Sequence, residues 1–181
     1  ADFSQMLIEH CSKRNRSILH RRRCLQPCSS DSSRSARPVS NSPAKGRLDV
    51  EVFNAAGRTR LQHRPFVRDL HQLFADHGSG PGEIRVIFLA DADHTDMNRR
   101  FLEHHYSTDV ITFSIEDVPL EGEIYVNLDQ ARLQADEAGT QLYPEVRRLV
   151  IHGMLHLLGY DDATAAERLE MRALEDEYLK R

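Results

Sequence analysis

Two histidines and an aspartate near the carboxyl end of the chain have the spacing of metal ligands. His152 and His156 are four residues apart in an apolar segment, so in a helix they lie about 40° apart on one face and one turn apart along it. Both imidazoles can then reach one ion. Gly159 follows where a helix can end in a left-handed residue and the chain can reverse. Asp162 could return from this turn as a third ligand.

The predicted site would hold one divalent ion, with zinc as the expected metal and other divalent metals possible. Two imidazoles and one carboxylate leave a coordination position open, which is typical of catalytic zinc. Such an ion could lower the pKa of a bound water towards about 7 and polarise a phosphoryl or carbonyl oxygen. Gly153 stands where the usual zinc-protease motif has its glutamate base, so any base must come from elsewhere. The alternative is that the two histidines are hydrogen-bonded core residues and that Asp162 only stabilises the conformation of the turn.

Three segments resemble a known family. The segment His152-Gly-Met-Leu-His156-Leu-Leu-Gly-Tyr-Asp-Asp162 is similar to the signature of the YbeY endoribonucleases. Asn98 followed by Thr108-Asp109-Val110-Ile111-Thr112-Phe113, and the segment Gly122-Glu123-Ile124-Tyr125-Val126, resemble the same family. The resemblance spans about residues 84–181, and the whole domain from Leu48 is expected to share it.

The resemblance implies a metal-dependent endoribonuclease that acts in maturation of ribosomal RNA and in ribosome quality control. The implied reaction is attack of a zinc-bound water on a phosphodiester of single-stranded RNA. The implied partners are ribosomal RNA and the ribosome or a small-subunit precursor, in the bacterial cytoplasm or an organelle derived from bacteria. Two alternatives are a non-catalytic ribosome-assembly factor with a structural metal, and a metalloprotease-like hydrolase, which the glycine at position 153 disfavours.

The chain departs from the family pattern at two positions. The usual third ligand is histidine, whereas this chain has Asp162, whose harder oxygen donor is a competent zinc ligand and widens the choice of metal. An arginine that the family commonly carries after the helix asparagine corresponds to Leu102, which removes a candidate phosphate contact. Four nearby residues could bind the substrate in its place, unless they only face solvent: Arg99, Arg100, His104 and His105.

The candidate catalytic residues besides the metal ligands are Thr108 and Asp109. They could orient the substrate or a metal ligand through hydrogen bonds, or Asp109 could simply cap a turn before a strand. Glu175 and Tyr160 are interpreted as structural residues. A basic groove that includes Arg147 and Arg148 is possible, but the expectation is that both lie on the exposed face of their helix.

Hydrophobic patterns predict the elements that position these residues. Strands are expected at Leu48–Val52, Ile84–Leu89, Val110–Ile115 and Glu123–Leu128, and helices at Arg64–His77, 91–102, Asp129–Ala138, Pro144–Leu158 and Ala163–Leu179. This order predicts an α+β fold, a single domain in which a small mixed β-sheet of about four strands packs with about five helices.

The charge of the chain changes sign near Arg47. Residues 1–47 carry ten Lys/Arg against three Asp/Glu and contain ten serines, whereas residues 48–181 carry 14 Lys/Arg against 25 Asp/Glu. The first segment is predicted to be a basic disordered tail or an artefact of the assigned start. A nucleic-acid-binding arm, a targeting peptide, or a metal site that includes Cys24 and Cys28 are the other interpretations. Residues 48–181 form the predicted hydrolase domain, and no run approaches the roughly 20 apolar residues that span a bilayer.

Overall fold

The computed structural model describes residues 46–57, 59–102, 107–117 and 119–181. Its strands are β1 (Leu48–Asn54), β2 (Gly82–Leu89), β3 (Val110–Asp117) and β4 (Leu120–Asn127). Its helices are α1 (His63–His77), α2 (Asp91–Leu102), α3 (Leu128–Glu137), α4 (Leu142–Leu157) and α5 (Ala165–Lys180). Over these residues the predicted element order and the α+β class are confirmed. Nearly all of the predicted basic tail lies outside the described residues.

The four strands form one mixed sheet in the order β1-β2-β4-β3. β2 pairs in parallel with both β1 and β4, whereas β3 and β4 form an antiparallel hairpin. The hairpin is tighter than predicted, because β3 continues to Asp117 and β4 already begins at Leu120. Gly122 therefore lies within β4 and not in the connection. A Cβ at this glycine would come within 2.7 Å of Leu157 in α4, so its missing side chain leaves room for the helix.

Side-chain alternation along the strands divides the core in two, since successive residues of a strand point to opposite faces. On the larger face, Ile84, Val86 and Phe88 of β2 are buried against α1, α3, α4 and α5. On the other face, Ile87 packs with Met97 of α2. α4 crosses the larger face and contacts both strands of the hairpin. Among the helices that the structure describes, none combines the length and apolar character needed to cross a bilayer.

Gly153 determines how closely α4 approaches the sheet. A Cβ built at this position would lie 2.7 Å from Cγ2 of Ile124 and 3.2 Å from Oγ1 of Thr112. Ile124 is fully buried, and its branched side chain has few alternative rotamers. The packing therefore leaves no room for a side chain at position 153, and the glycine that departs from the zinc-protease motif is a requirement of the fold.

Replacing Gly153 by alanine is expected to destabilise the protein. Helix propensity alone would favour alanine by about 1 kcal/mol, whereas the added methyl group here must displace the helix from the sheet, at a cost of about 1–3 kcal/mol. Urea unfolding followed by circular dichroism measures the change in the free energy of unfolding. Met154→Leu, a substitution of similar volume at the next buried position, is the control. An increase in stability of about 1 kcal/mol, which is what helix propensity alone predicts for Gly153→Ala, would contradict the close contact between α4 and β4.

A cluster of hydrogen bonds joins the end of α1 to the end of α5. Asp76 accepts hydrogen bonds from Arg181 and from the hydroxyl of Tyr178, each at 2.8 Å, and from the side chain of Gln72. These three donors, Arg181 foremost, lower the pKa of Asp76 from 3.8 to about 2. Burial, and then the hydrogen bond to this carboxylate, raise the pKa of Tyr178. The cluster therefore favours an ionised carboxylate and a protonated phenol.

The stability of the protein is expected to depend on the ionisation of Asp76. Because its pKa is lower in the folded chain than in the unfolded chain, the carboxylate stabilises the fold fully above about pH 4, and this contribution is lost as the pH falls towards 2. The parent should be more stable than Asp76→Asn at neutral pH, and the difference should shrink between pH 4 and pH 2. Thermal unfolding across this range measures it, with the exposed Asp136→Asn as control. A difference that stays constant with pH would exclude this linkage.

Candidate metal centre

The last turns of α4 carry His152 and His156, and Gly159 follows the helix in the left-handed conformation, with a φ of 93°. The Gly159 amide donates to the carbonyl of His156, and the Tyr160 amide donates to the carbonyl of Leu155. These two bonds form the Schellman pattern of helix ends. The left-handed glycine predicted at this position is confirmed, and the chain reverses direction after it.

An acceptor orients each histidine ring at its Nδ1 atom. Nδ1 of His152 lies 2.7 Å from Oε1 of Glu175 in α5, and Nδ1 of His156 lies 3.0 Å from the backbone carbonyl oxygen of Tyr160. A carboxylate and a carbonyl can only accept hydrogen bonds, so Nδ1 carries the proton in each ring. A neutral ring then has its free lone pair on Nε2.

The two Nε2 atoms converge with the carboxylate of Asp162. They lie 3.0 Å apart, and Nε2 of His152 lies 4.0 Å from Oδ2 of Asp162. One possible ligand atom from each of the three residues falls within 4.8 Å of the other two. The His152 side chain is 17% exposed and that of Asp162 is 45% exposed, so the cluster opens to solvent on the aspartate side. The structure therefore brings together the three residues that the sequence predicted as ligands.

Hydrogen bonds in the loop after α4 hold Asp162 near the histidines. Nη1 of Arg168 donates to the carbonyl oxygens of Asp162 and Ala163, at 2.8 and 2.7 Å. Thr164 and Glu167 form a capping box, in which each side chain accepts a hydrogen bond from the backbone amide of the other residue. The loop is thus fixed to the first turns of α5, and the capping box starts that helix two residues later than predicted.

Glu175 orients His152, a role beyond the purely structural one predicted from the sequence. It is 5% exposed and lies on the buried face of α5 with Met171 and Tyr178. The spacing of these three residues, four and then three positions apart, is that of one helix face. An acidic residue within such a buried face needs a partner, and this was the signal that could have identified Glu175.

The arginines of α4 are ion-paired and partly buried, which corrects the expectation that they form its exposed face. Nε of Arg147 donates to the buried carboxylate of Asp69 at 2.7 Å. Arg148 donates to Glu145, and its Nη1 lies 3.6 Å from the second oxygen of Glu175. Arg148 therefore balances the charge of the carboxylate that orients His152.

The side chain of Tyr160 anchors the turn whose carbonyl orients His156. Its hydroxyl lies 3.0 Å from Nδ1 of His77, and Nε2 of His77 lies 2.9 Å from the hydroxyl of Tyr178. Since Tyr178 donates its proton to Asp76, His77 donates through Nε2 and accepts from Tyr160 at Nδ1. This chain of hydrogen bonds connects the turn to the ends of α1 and α5. The Tyr160 side chain thus has the structural role predicted for it, whereas the role of its backbone carbonyl carries no sequence signal of its own.

Two cavities flank the cluster, with volumes of about 260 and 480 Å³, and Asp109 lines both. Thr108 lines the larger one. The two carboxylate oxygens of Asp109 accept hydrogen bonds from the Val110 amide and from the side chain of Gln134, each at 2.9 Å. Asp109 thus caps the start of β3 and also lies on the rim of the cluster. A catalytic role for Thr108 or Asp109 stays a prediction.

The predicted substrate contacts Arg99 and Arg100 lie on the exposed side of α2. Both form ion pairs with Asp96, and their side chains are 60% and 54% exposed. Neither lines the two cavities beside the cluster, which favours the interpretation that they face solvent. His104 and His105 lie outside the described residues. Substrate binding by these four residues stays a prediction.

Comparison with known proteins agrees with the resemblance seen in the sequence. The family model described as Endoribonuclease YbeY matches residues 58–181. The Endoribonuclease YbeY of Chlorobaculum parvum is 35% identical over 135 residues, which cover 74% of this chain and 95% of that protein. That of Bacteroides thetaiotaomicron is 38% identical over 120 residues, which cover 66% and 88% of the two chains.

A solved structure supports the fold as well. The solution structure of a Thermotoga maritima protein matches with a TM-score of 0.56 and 24% identity, over 72% of this chain and 87% of that one. The segment matched by the family model includes all three cluster residues and Glu175. The chain belongs to the YbeY endoribonuclease family.

Proposed function

We propose that this protein is a metal-dependent endoribonuclease that cleaves single-stranded segments of precursor ribosomal RNA. It acts in ribosome maturation and quality control, on the ribosome or a small-subunit precursor, in the bacterial cytoplasm or a bacterially derived organelle. The observation that carries the proposal is the convergence of acceptor atoms from His152, His156 and Asp162 within 4.8 Å. This cluster lies beside open cavities in a member of an endoribonuclease family.

The three residues fit a divalent cation. With both Nδ1 protons donated elsewhere, the two Nε2 lone pairs face each other at 3.0 Å, and two acceptors this close repel each other unless a cation lies between them. A proton on one ring, as in two hydrogen-bonded core histidines, would satisfy that pair but leave Asp162 beyond hydrogen-bond distance, at 4.0 Å. Two nitrogen ligands of a tetrahedral zinc lie about 3.3 Å apart. Imidazole donors favour zinc, and the carboxylate also suits other divalent metals.

Ion binding and proton transfer are assigned to different residues of the site. His152, His156 and Asp162 would hold the ion, which supplies a Lewis acid for a phosphate oxygen and lowers the pKa of water. The candidate base is Asp109, because it is a carboxylate on the rim of both cavities beside the cluster. Thr108 donates its hydroxyl hydrogen to Asp109 at 3.3 Å and so positions this carboxylate.

The geometry disfavours the two alternative functions. A metalloprotease-like hydrolase of the usual kind needs a glutamate directly after the first histidine, and the packing of Gly153 against Ile124 leaves no room for one. A purely structural zinc is normally enclosed by four protein ligands. Among the described residues only three potential ligands converge here, and Asp162 is 45% exposed. An open, three-ligand cluster is the arrangement of a catalytic ion.

Replacing Glu175 by glutamine is expected to weaken metal binding about 10- to 100-fold, because the amide orients the His152 ring less firmly than the carboxylate does. Competition with a chromophoric zinc chelator measures the affinity of the full-length protein. Glu170→Gln, at an exposed position of the same helix, should bind zinc like the parent. His156→Ala should retain little zinc. Equal zinc affinity in all four proteins would remove the three-residue cluster as the metal site.

RNA cleavage by the zinc-loaded full-length protein tests the proposed activity. The parent should cleave a single-stranded ribosomal RNA precursor fragment, and His156→Ala should lose at least about 100-fold in rate, because an ion that acts as a Lewis acid contributes several kcal/mol. His71→Ala, an exposed histidine of α1, is the matched control. If the parent binds zinc but does not cleave, and unfolds when the metal is removed, the protein is instead an assembly factor with a structural metal.

A further inference from the structure

Two arginines of α5 border the smaller cavity beside the cluster. Arg168 and Arg172 line this cavity of about 260 Å³ together with His152 and Asp162. They are four residues apart, so their side chains leave the same face of the helix about 5–6 Å from each other. Both residues are exposed. A pair of cationic side chains therefore borders an opening that leads to the candidate metal ligands.

These two arginines differ from the other arginine of this cavity in having uncompensated charge. Arg148 forms ion pairs with Glu145 and Glu175. Within the described part of the chain, Arg172 makes neither a hydrogen bond nor an ion pair. Arg168 donates through Nη1 to two backbone carbonyls, which are not charged, and its remaining donors bond to no described residue. Five donors are available on each guanidinium, so both side chains can bind an anion.

The carboxylate that α5 contributes to the same cavity is already ion-paired. Glu175 lies between His152 and Arg148. Asp109 also lines this cavity, but it precedes β3 and does not belong to α5. Asp162 is one of the three proposed ligands of the cation. The α5 side of the cavity therefore presents positive charge to a molecule that approaches the cluster.

We propose that Arg168 and Arg172 bind a backbone phosphate of the RNA strand, next to the phosphate that lies at the cluster. This inference rests on the proposed function, because it names the residues that hold the substrate at the same site. The planar guanidinium matches the oxygen pair of a phosphate and can bind it in a bidentate manner. Contacts to phosphates position a strand without reading its sequence, so this pair binds RNA of any sequence.

The test measures binding without cleavage. Fluorescence anisotropy of a labelled single-stranded RNA is recorded with full-length protein in excess chelator, at a series of salt concentrations. Arg172→Gln should raise the Kd about fivefold and reduce the slope of log K against log salt. The double variant Arg168→Gln/Arg172→Gln should reduce this slope by about 0.7, the contribution of one phosphate contact in a single strand. Oligonucleotides of different sequence should be affected equally.

Two control variants separate a phosphate contact from general effects of charge. Arg172→Lys keeps the charge and should keep most of the salt dependence. Arg64→Gln removes the same charge from the first turn of α1. The nearby Phe66 packs on Tyr143 in the first turn of α4, whereas the cluster lies at the other end of that helix. It should bind RNA like the parent. Arg172 is preferred over Arg168 as the single test, since Arg168 also holds the loop that carries Asp162.

The outcomes distinguish this inference from the proposed function. If the parent binds and cleaves RNA but Arg172→Gln and the double variant have its Kd and salt slope, the arginine pair does not contact phosphate and only this inference fails. If Arg64→Gln weakens binding as much as Arg172→Gln, the effect is one of net charge and the pair is again excluded. If the parent neither binds nor cleaves single-stranded RNA, the proposed function and this inference fail together.

Discussion

The cluster of His152, His156 and Asp162 depends on where the Nδ1 proton of each histidine goes. A ring presents a bare Nε2 atom only while another group accepts that proton. For His156 the acceptor is local, because the Schellman turn at the end of α4 presents the Tyr160 carbonyl at 3.0 Å. For His152 it is distant in sequence, because Glu175 reaches the ring only when α5 packs against α4. One half of the cluster thus forms with the helix end, and the other half requires the complete tertiary fold.

Close packing between α4 and the β3–β4 hairpin constrains which residues can assist the cluster. Gly153 and Gly122 each lack the side chain that would separate helix from sheet. This contact brings the start of β3 to the same cavities as the histidines, and with it Asp109. It also excludes a glutamate beside His152 on the helix itself. A carboxylate from the edge of the sheet is therefore available near the cluster, where a zinc protease would use one from its helix.

The sequence predicts the elements of this fold better than the contacts between them. Apolar spacing identified α4, and Gly159 identified its end, because both depend on residues within a few positions of each other. Pairing of β2 with β4 depends on residues far apart in the chain, for which a single sequence offers no direct signal. The position of Glu175 on a buried helix face indicates that it needs a partner, but not that this partner is His152. The predicted hairpin ends are wrong, because the predicted strand begins only after Gly122, whereas this glycine lies within β4 and allows close contact with Leu157. The sequence does not show that Arg147 and Arg148 are ion-paired, because their partners Asp69 and Glu175 lie far from them in the chain.

The excess of acidic residues in the domain does not oppose binding of an anionic substrate, because the charges are segregated. Four glutamates, Glu51, Glu83, Glu121 and Glu123, surround Arg85 on the face of the sheet opposite α4. These four carboxylates therefore share a cation on the other face of the sheet and are not among the residues that line the cavities beside the cluster. The field at the cavity is set mainly by its own side chains, among which Arg168 and Arg172 have no charged partner within the described ranges of the chain. Pairing of individual charges, more than the net charge of the domain, decides whether an RNA strand can approach this site.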